Sequence, residues 1–517
     1  AARALGATAR RRLAPPAPGG WDTPLDPIWE VRVEGRKLKG FVDLANDVTA
    51  EDLRLAQREG YESVEHAKRY TTLGMAPDQG KTSGVVGMAL LAQARGETPE
   101  AVGTTTFRPP YAPVSLGIFA GAEGGPMWEP VRRTPFHGAA EAAGAVFVDA
   151  GLWKRAWYFP RRGEGLAAAS RREAAMVRDT VGLCDVSTLG KLRVQGPDAA
   201  AFLDRIYSNL MSTLPPGKAR YGFMLREDGV AYDDGAVWRW SETDFLVTAT
   251  TAHAAGVHDH LELWAARWPD LRVDIACETE AWAALALAGP RARAALARAT
   301  SADVSDAALP FMGLASAEVC GAQAKIARIS FSGELAYEIY VRPSDAEGLW
   351  EGLSAAAQAE RGGPYGLEAL DILRVEKGHV TGREIDGRMT LADLGLPRMM
   401  SKKKAFLGQA LAGRPGLTDP ARPSLVGLEP TDAEAAFMAG AVLAPPGHRQ
   451  GHGLGHVASI ADSPARGRRI ALGFVAGGLA EWEGRVVVAK DPIARAETPL
   501  RVVSPHFVDP DGERLRG

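Results

Sequence analysis

Cysteine is scarce in this chain, and the few cysteines do not form a motif. Only three occur among 517 residues, and Cys184, Cys277 and Cys320 lie far apart. An odd number of widely spaced thiols argues against a disulfide framework and a cysteine-based metal site. The same usage is typical of a protein in a reducing cytoplasm, which is the location that we expect.

Long apolar runs and an excess of charge of one sign are also missing. No apolar stretch approaches the roughly 20 residues that span a bilayer. The formal net charge is only −3, so neither a membrane nor a nucleic acid is predicted as a partner. Apolar residues make up 46% and charged residues 24% of the chain, which is typical of a soluble globular protein. A length of 517 residues predicts two to four domains.

The first 40 residues have the composition of a linker. The chain begins without a methionine, and Arg10-Arg11-Arg12 precedes a Pro/Gly stretch from Ala14 to Gly20. We interpret residues 1–40 as a linker that follows the cut end of a longer polypeptide. An arginine-rich targeting sequence is the alternative, although serine is missing from it.

Residues 41–130 are predicted to form a small helical domain. Apolar periodicity indicates helices over about 47–70 and 83–95. Thr49 and Asp52 have the spacing of a capping box at the start of the first helix.

The rest of the chain predicts an α+β core followed by a β domain. Strands and helices are mixed over residues 131–412, in an order typical of an α+β domain. Ala324–Ser330 and Ala336–Val341 alternate around a Ser-Gly-Glu turn and predict a hairpin. Short strands separated by turns over residues 413–517 favour a small β-barrel, with a sandwich as the alternative. The fold class is therefore multidomain α+β.

Several familiar sequence motifs are present only in incomplete form or are absent. Gly74 to Thr82 resembles a P-loop, but five residues separate its glycines and no apolar strand precedes it. Gly451 to His456 is one residue short of a dinucleotide fingerprint. The pair His258 and His260 has no partner at recurring ligand spacing, so we interpret both as surface histidines and predict no metal site. A Gly-x-Ser-x-Gly elbow is absent.

Adjacent acids stand at the end of an apolar strand pair. Tyr221 begins one strand, and the next stretch carries Asp233 and Asp234. Neighbours in a strand point to opposite faces, so at most one of the two acids faces a given pocket. A solvated turn is the alternative interpretation.

A further acid and a basic residue occur in apolar surroundings. Glu338 lies among apolar strand residues, where a carboxylate needs a partner. Arg374 lies on an apolar helix. A structural ion pair of Arg374 with Glu338 or with Glu376 is one interpretation, and a ligand site is the other.

From residue 131 onward the chain resembles the glycine-cleavage aminomethyltransferase family. The motifs that carry the resemblance occur in the family's order, and they are Thr134-Pro135-Phe136-His137, Cys184 to Lys191, Gly217 to Tyr221, Asp233-Asp234, Ser332 to Glu334, Tyr337 to Tyr340, Leu373 to Glu376, Gly455 to Val457 and Ile470 to Gly473.

The resemblance implies a tetrahydrofolate cavity at the centre of the fold. Asp234 is then the carboxylate next to the N5/N10 edge and the candidate catalytic residue, with Asp233 as the fallback. Glu338 is implied to accept hydrogen bonds from the pterin, and Tyr221 and Arg374 to contact the folate. A carboxylate matches neighbouring N–H donors, and a nearby carboxylate can take a proton from a folate nitrogen.

Residues 41–130 resemble the α subunits of heterotetrameric sarcosine oxidases. The matching stretches are Phe41 to Thr49, Glu65 to Thr71, Asp78 to Lys81 and Thr106 to Tyr111. The resemblance implies β, γ and δ partner subunits, with FAD on β, and transfer of the one-carbon unit of oxidised sarcosine to tetrahydrofolate, giving 5,10-methylenetetrahydrofolate. It also implies an NAD site only in an upstream dinucleotide-binding region. Residues 1–183 contain no cysteine, so we expect no iron–sulfur cluster there.

The same resemblance implies FMN between the α and β subunits. Side chains that offer donors to a phosphate form the predicted FMN-facing surface, namely Lys68, Arg69, Thr71, Thr72, Lys81 and Thr82. A solvated basic loop is the alternative interpretation.

Two other functions are compatible with the same α+β core domain. One is a stand-alone aminomethyltransferase of glycine cleavage or of a demethylation pathway, without a flavin partner. The other is a non-enzymatic, folate-binding scaffold for iron–sulfur assembly. That group's motif requires a cysteine where Ala405 stands, which argues against the scaffold.

Overall fold

A computed structural model gives the fold of the chain as two compact units, which are described separately below. Part of the predicted N-terminal linker, residues 1–26, lies outside the described residues. No described helix is both long enough and apolar enough to cross a membrane. The units are Ala1–Glu129 and Pro130–Gly517. The described residues are 27–36, 38–108, 114–123, 130–449 and 451–517.

The first unit is a small helical domain. Its elements are β1 (Phe41–Asp43), β2 (Val48–Thr49), α1 (Ala50–Arg58), α2 (Val64–Thr71), α3 (Gly84–Arg95), α4 (Pro99–Val102) and a 3-10 helix (Leu116–Glu123). Leu53, Ala67 and Leu90 belong to its apolar core.

The predicted helix over residues 47–70 is two helices. The predicted capping box is present, because the Thr49 hydroxyl accepts a hydrogen bond from the Asp52 amide and the Asp52 carboxylate accepts one from the Thr49 amide. The chain then leaves the helix at Gly60, whose φ of 92° is in the left-handed region that favours glycine. The prediction of one continuous helix was therefore wrong between α1 and α2.

The second unit mixes strands and helices along its whole length. Its strands are β3 (Arg132–Arg133), β4 (Val146–Ala150), β5 (Trp153–Tyr158), β6 (Gly182–Asp185), β7 (Gly190–Gln195), β8 (Lys218–Leu225), β9 (Ala231–Ser241), β10 (Asp244–Ala249), β11 (Asp274–Cys277), β12 (Ala283–Ala288), β13 (Leu314–Val319), β14 (Ala322–Ala327), β15 (Ala336–Val341), β16 (Gly363–Pro364), β17 (Pro423–Pro430), β18 (Val442–Ala444), β19 (Gly455–Ser463), β20 (Arg468–Ala476), β21 (Val486–Asp491) and β22 (Ala496–Val503). Its helices are α5 (His137–Ala142), α6 (Leu166–Asp179), α7 (Ala199–Ile206), α8 (Ala254–Arg267), α9 (Ala292–Ala299), α10 (Ala346–Ala359), α11 (Leu367–Lys377), α12 (Gln409–Ala412), α13 (Pro415–Thr418), α14 (Gly478–Trp482) and α15 (Glu513–Arg516).

Two large sheets position the acids that the sequence singled out. The first has the strand order β11-β7-β10-β9-β8, and the second has the order β13-β14-β15-β12-β6-β16. The predicted hairpin is present as β14 and β15, with Ile326 opposite Ile339. The two sheets meet where the Trp238 and Tyr340 rings pack 4.7 Å apart, centroid to centroid.

The C-terminal part of the second unit is a closed barrel with the order β17-β20-β19-β18-β21-β22. Inward-facing apolar side chains such as Leu428, Val457 and Leu500 fill it. Helix α11 packs on β19 at its outer surface. The barrel prediction is confirmed, and with it the multidomain α+β fold class.

Candidate functional site: two carboxylates on facing sheets

The hairpin of β8 and β9 places Tyr221 and Asp234 on one face of the first sheet. Tyr221 lies opposite Ala236 in the ladder, and Ala236 and Asp234 share a face because side chains alternate along a strand. The Tyr221 hydroxyl donates to Asp234 Oδ2 at 2.7 Å. This hydrogen bond fixes the orientation of the Asp234 carboxylate, and the tyrosine does not occupy the other carboxylate oxygen, Oδ1.

The Asp234 side chain lies in a low-dielectric environment but remains partly accessible to solvent. Burial raises the pKa of Asp234 to about 7, and the neighbouring Asp233 charge acts in the same direction. Its side chain nevertheless keeps a partly accessible surface, and Tyr221 beside it is 38% exposed. A desolvated carboxylate with an accessible surface is what a concave ligand site provides. A group with a pKa near 7 exchanges protons readily at neutral pH.

Asp233 points to the opposite face of β9 and has different partners. It is 4% exposed, accepts a hydrogen bond from the Thr250 amide at 3.3 Å, and lies 3.6 Å from His253 Nδ1. The two acids are therefore separated by the strand as predicted. The solvated-turn interpretation is wrong for both, because they lie within β9 and not in the turn before it.

Glycine allows the close packing beneath these acids. Gly222 and Gly235 are opposite each other in the β8–β9 ladder. A Cβ on Gly235 would come within 2.0 Å of the Thr248 carbonyl oxygen, and one on Gly222 would come within 2.8 Å of the Tyr207 ring. The Tyr207 hydroxyl is buried and has no hydrogen-bond partner among the described residues, and the charges of both acids raise its pKa further than burial alone.

Glu338 occupies the matching position on the second sheet. The Tyr340 hydroxyl donates to Glu338 Oε2 at 2.9 Å. Burial raises the pKa of Glu338, while Tyr340 and Lys191 act to lower it. The side chain keeps a partly accessible surface although its strand is otherwise buried.

The carboxylates of Asp234 and Glu338 lie on sheet faces that are directed toward each other. Asp234 and Trp238 are four residues apart on β9 and therefore share a face, as do Glu338 and Tyr340 on β15. The Trp238 and Tyr340 rings pack against each other where the sheets meet. Four strand residues span roughly 13 Å, so the two acids can contact opposite ends of one elongated ligand. Trp238 Nε1 is buried without a partner among the described residues, which leaves an N–H donor at this junction.

Arg374, the fourth predicted folate residue, belongs to a separate ion network. It is 0% exposed and donates to Asp371 Oδ1 at 2.7 Å, Glu384 Oε2 at 2.9 Å and Ser459 Oγ at 2.6 Å. All three guanidinium nitrogens have protein partners, so the geometry favours a structural role. The interpretation of Arg374 as part of a structural ion pair named the wrong partners, because Arg374 pairs with Glu384 and Asp371, and Glu376 pairs with Arg178.

The predicted FMN-facing residues lie on α2 and on the loop before α3. Lys68 is buried and its ammonium donates to the Thr106 carbonyl, while Arg69 pairs with Glu65 at 3.3 Å. Thr71 donates to the Ala67 carbonyl. The other two threonines also donate within the unit, Thr72 to the Thr71 carbonyl and Thr82 to Asp78. Lys81 also has an interaction partner. These donors do not fit an open phosphate site, and FMN binding by them stays a prediction.

One side-chain group in the second unit has the composition of a metal site. His258, Asp259 and Glu262 bring one ligand atom each within 4.8 Å on α8. Exposed acidic groups of this kind are common without an ion. The neighbouring His260 is 9% exposed and stacks against Tyr232, so its interpretation as a surface histidine was wrong.

Sequence reasoning missed three contributors to the site. Lys191, Trp238 and Tyr340 are buried together where the two sheets meet. Tyr340 stands two residues after Glu338, so strand alternation could have found it. Lys191 and Trp238 come from other strands, and only the fold brings them to Glu338 and Tyr340.

Comparison with known proteins covers almost all of the described chain. Residues 37–122 match the family description "Sarcosine oxidase A3 domain", residues 136–404 match "GCVT N-terminal domain", and residues 424–509 match "Glycine cleavage T-protein C-terminal barrel domain".

Individual relatives fall into two groups. The chain is 48% identical over 496 residues to a sarcosine oxidase subunit alpha of Rhizobium meliloti, covering 95% of this chain and 50% of that one. It thus spans about half the length of this relative. It is 34% identical to an aminomethyltransferase of Streptomyces coelicolor over 67% of this chain and 89% of that one. A crystal structure of the glycine cleavage system aminomethyltransferase T from Bartonella henselae superposes with a TM-score of 0.64 at 27% identity, covering 73% of this chain and 98% of that one.

Proposed function

Since this chain belongs to the glycine-cleavage T-protein (aminomethyltransferase) family, we propose that it binds tetrahydrofolate between its two large sheets and transfers to it the one-carbon unit of oxidised sarcosine. The product is 5,10-methylenetetrahydrofolate. The observation that carries the proposal is the pair of partly accessible, desolvated carboxylates, Asp234 and Glu338, on facing sheets.

Glu338 is suited to the pterin end of the ligand. A pterin presents neighbouring N–H donors, for which two carboxylate oxygens are the matching acceptors. Tyr340 already donates to Oε2 at 2.9 Å, so this carboxylate is oriented before a ligand arrives.

Asp234 is suited to moving a proton at the reacting nitrogen. When bound, tetrahydrofolate supplies the nitrogen nucleophile that takes up the one-carbon unit. That nitrogen loses a proton as its new bond to carbon forms, and Asp234 in its ionised form accepts it on a carboxylate oxygen. The second folate nitrogen then takes the place of the amine on the same carbon, so the bond from that carbon to the amine nitrogen breaks and glycine leaves with the proton. Tyr221 holds Asp234 in place during the transfer, and the apolar surroundings that raise the pKa of Asp234 also keep the proton acceptor effective near neutral pH.

The first unit favours the oxidase over the stand-alone transferase. The aminomethyltransferase relative covers only 67% of this chain, whereas residues 37–122 match a sarcosine oxidase domain. We therefore propose that the chain acts with β, γ and δ partner subunits, that FAD on the β subunit oxidises the amine, and that NAD binds in the half of the α subunit that this chain does not span. Co-purification with a flavoprotein subunit distinguishes this assembly from a stand-alone transferase.

Replacing Glu338 by glutamine is expected to weaken tetrahydrofolate binding about 10- to 100-fold. The change removes a charged acceptor, whose hydrogen bonds contribute about 1.5–3 kcal/mol, and it turns an NH2 group toward the pterin donors. Calorimetric titration of the wild-type chain and of Glu338→Gln measures the difference.

Glu318→Gln is the matched control, because Glu318 is an exposed glutamate on the same sheet. It is expected to bind tetrahydrofolate as the wild type does. Equal affinity of Glu338→Gln and wild type would remove Glu338 from the site, and no binding by a folded wild-type chain would contradict the proposed function itself.

A further inference from the structure

Lys191 is a fully buried cation that has no carboxylate among the described residues as a direct hydrogen-bond partner. Its exposed fraction is 0%. The ammonium donates to the Ser187 carbonyl at 2.8 Å and to the Leu189 carbonyl at 2.9 Å. An ammonium has three N–H donors, so one remains. Burial disfavours the charged form of a lysine, and the two acceptors here are neutral carbonyls.

The ammonium lies close to the side chains at the pterin end of the proposed site. Lys191 Nζ lies 5.1 Å from the centroid of the Tyr340 ring, and the hydroxyl of that tyrosine donates to Glu338 at 2.9 Å. Lys191 is on β7 of the first sheet and Glu338 on β15 of the second. Cation, ring and carboxylate therefore form a continuous series across the junction of the two sheets.

Titratable groups from several elements surround Lys191 and Glu338. Tyr340 on its own strand, Lys191 on β7 and Tyr365 before α11 interact with Glu338, while the neighbouring strands β12 and β14 present Ala286 and Ala327 beside it. Lys191 is also influenced by other groups, which are Asp185, Arg155 and Cys277. Among these groups, Lys191 is the cation that acts on Glu338.

We propose that Lys191 is a positioning residue that keeps Glu338 ionised, so that both carboxylate oxygens accept hydrogen bonds from the pterin edge. This inference rests on the proposed function. A neutral carboxyl group would offer an O–H donor toward pterin N–H donors and lose one of its two acceptors. Burial alone disfavours the ionised form of Glu338, and a cation fixed behind the Tyr340 ring offsets this.

Lys191→Met tests the proposal through the pH dependence of tetrahydrofolate binding. The substitution keeps the length and apolar volume of the side chain and removes its charge. In the wild type, affinity falls on the acid side as Glu338 becomes protonated. In Lys191→Met this fall is expected about one pH unit higher, which corresponds to about tenfold weaker binding at a pH on the slope. Calorimetric titration from pH 5.5 to 8 gives both curves.

Lys325→Met is the matched control. Lys325 is a half-buried lysine on β14, packed over the Trp240 and Trp282 rings at 4.7 and 5.0 Å, and Glu338 is not among the charges that act on it. Its pH curve is expected to coincide with that of the wild type. Thermal melting of each variant reports any loss of folding separately from the pH shift.

Lys191→Gln supplies a second variant, which keeps a donor for the Ser187 and Leu189 carbonyls. It removes the charge as Lys191→Met does, so the same upward shift of the acid-side fall is expected. On the alkaline side Glu338 is ionised with or without the ammonium, so the affinities of the wild type and of both variants are expected to converge there. The second variant keeps the test available if Lys191→Met does not fold.

The possible outcomes separate this inference from the proposed function. A curve shifted upward in Lys191→Met or Lys191→Gln, which rejoins the wild-type affinity on the alkaline side, supports the inference. Wild-type binding with unshifted variant curves, or with variant curves that are equally weakened at every pH, overturns the inference and leaves the proposed function standing. Absence of wild-type binding overturns both.

Discussion

Asp234→Asn is expected to slow the transfer of the one-carbon unit by a factor of about 10² to 10⁴, the usual contribution of a positioned acid or base. Asparagine keeps the shape of the side chain and a carbonyl oxygen for the Tyr221 hydroxyl, but it cannot accept the proton that the folate nitrogen loses. Tetrahydrofolate binding should remain within a fewfold of wild type. The measurement is the rate of 5,10-methylenetetrahydrofolate formation in the assembled complex, with the uncatalysed formaldehyde reaction subtracted.

Asp233→Asn provides the comparison within the same strand. Its carboxylate is on the other face of β9, near His253, so transfer is expected to continue. Because the Asp233 charge helps to raise the pKa of Asp234, removing it should move the rate–pH curve toward lower pH. A loss of transfer in Asp233→Asn equal to that in Asp234→Asn would contradict the assignment of the proton acceptor.

The wild-type rate–pH curve follows from the same assignment. Asp234 must be ionised to accept a proton, and burial raises its pKa to about 7. The transfer rate is therefore expected to rise with pH through about 7 and then to level off. In Asp234→Asn this rise should be absent from the small residual rate.

Arg374→Met is expected to destabilise the second unit by about 3–5 kcal/mol, the usual cost of breaking a buried ion pair. Both Arg374 and Glu384 are 0% exposed, so the substitution leaves a buried carboxylate without its cation. Ser459 also loses its guanidinium partner. Hydrogen exchange of the α11 and β19 amides measures the local free energy of opening, which suits a chain of several units.

Arg383→Met is the control for this prediction. Arg383 pairs with Asp371, a carboxylate that also binds Arg374, but its side chain is 58% exposed. Exposed pairs contribute about 0–1 kcal/mol, so little change is expected. The double variant Arg374→Met/Glu384→Gln should recover part of the loss, because the unpaired charge is gone. If Arg374→Met lowers the free energy of opening by less than about 1 kcal/mol, the Arg374–Glu384 ion pair does not stabilise the fold.

Local sequence patterns predicted much of the fold. Capping residues placed the start of α1, alternation placed the β14–β15 hairpin, and turn spacing placed the C-terminal barrel. The separation of Asp233 and Asp234 onto two faces also followed from strand geometry alone. These features depend on residues that are close together in sequence.

Features set by tertiary contacts could not be predicted in the same way. Arg374 lies on an apolar helix beside Glu376, yet its ion-pair partner Glu384 belongs to the loop beyond that helix. Lys191 lies almost 150 residues before Glu338, and the fold alone brings them together. Ion pairing and desolvation are decided by such distant contacts, so a sequence identifies the candidate residues but not their partners.

A crystal structure of the chain with 5-formyltetrahydrofolate, a stable form of the folate, is the most direct test of tetrahydrofolate binding between the sheets. We expect the pterin N–H donors at the Glu338 carboxylate and the N5/N10 edge beside Asp234 and Tyr221. The second unit also has a cleft of about 700 Å³, lined in part by Arg178, Arg291, Arg293 and Arg514. Folate bound in that cleft, with the space between the sheets unchanged, would contradict the assignment.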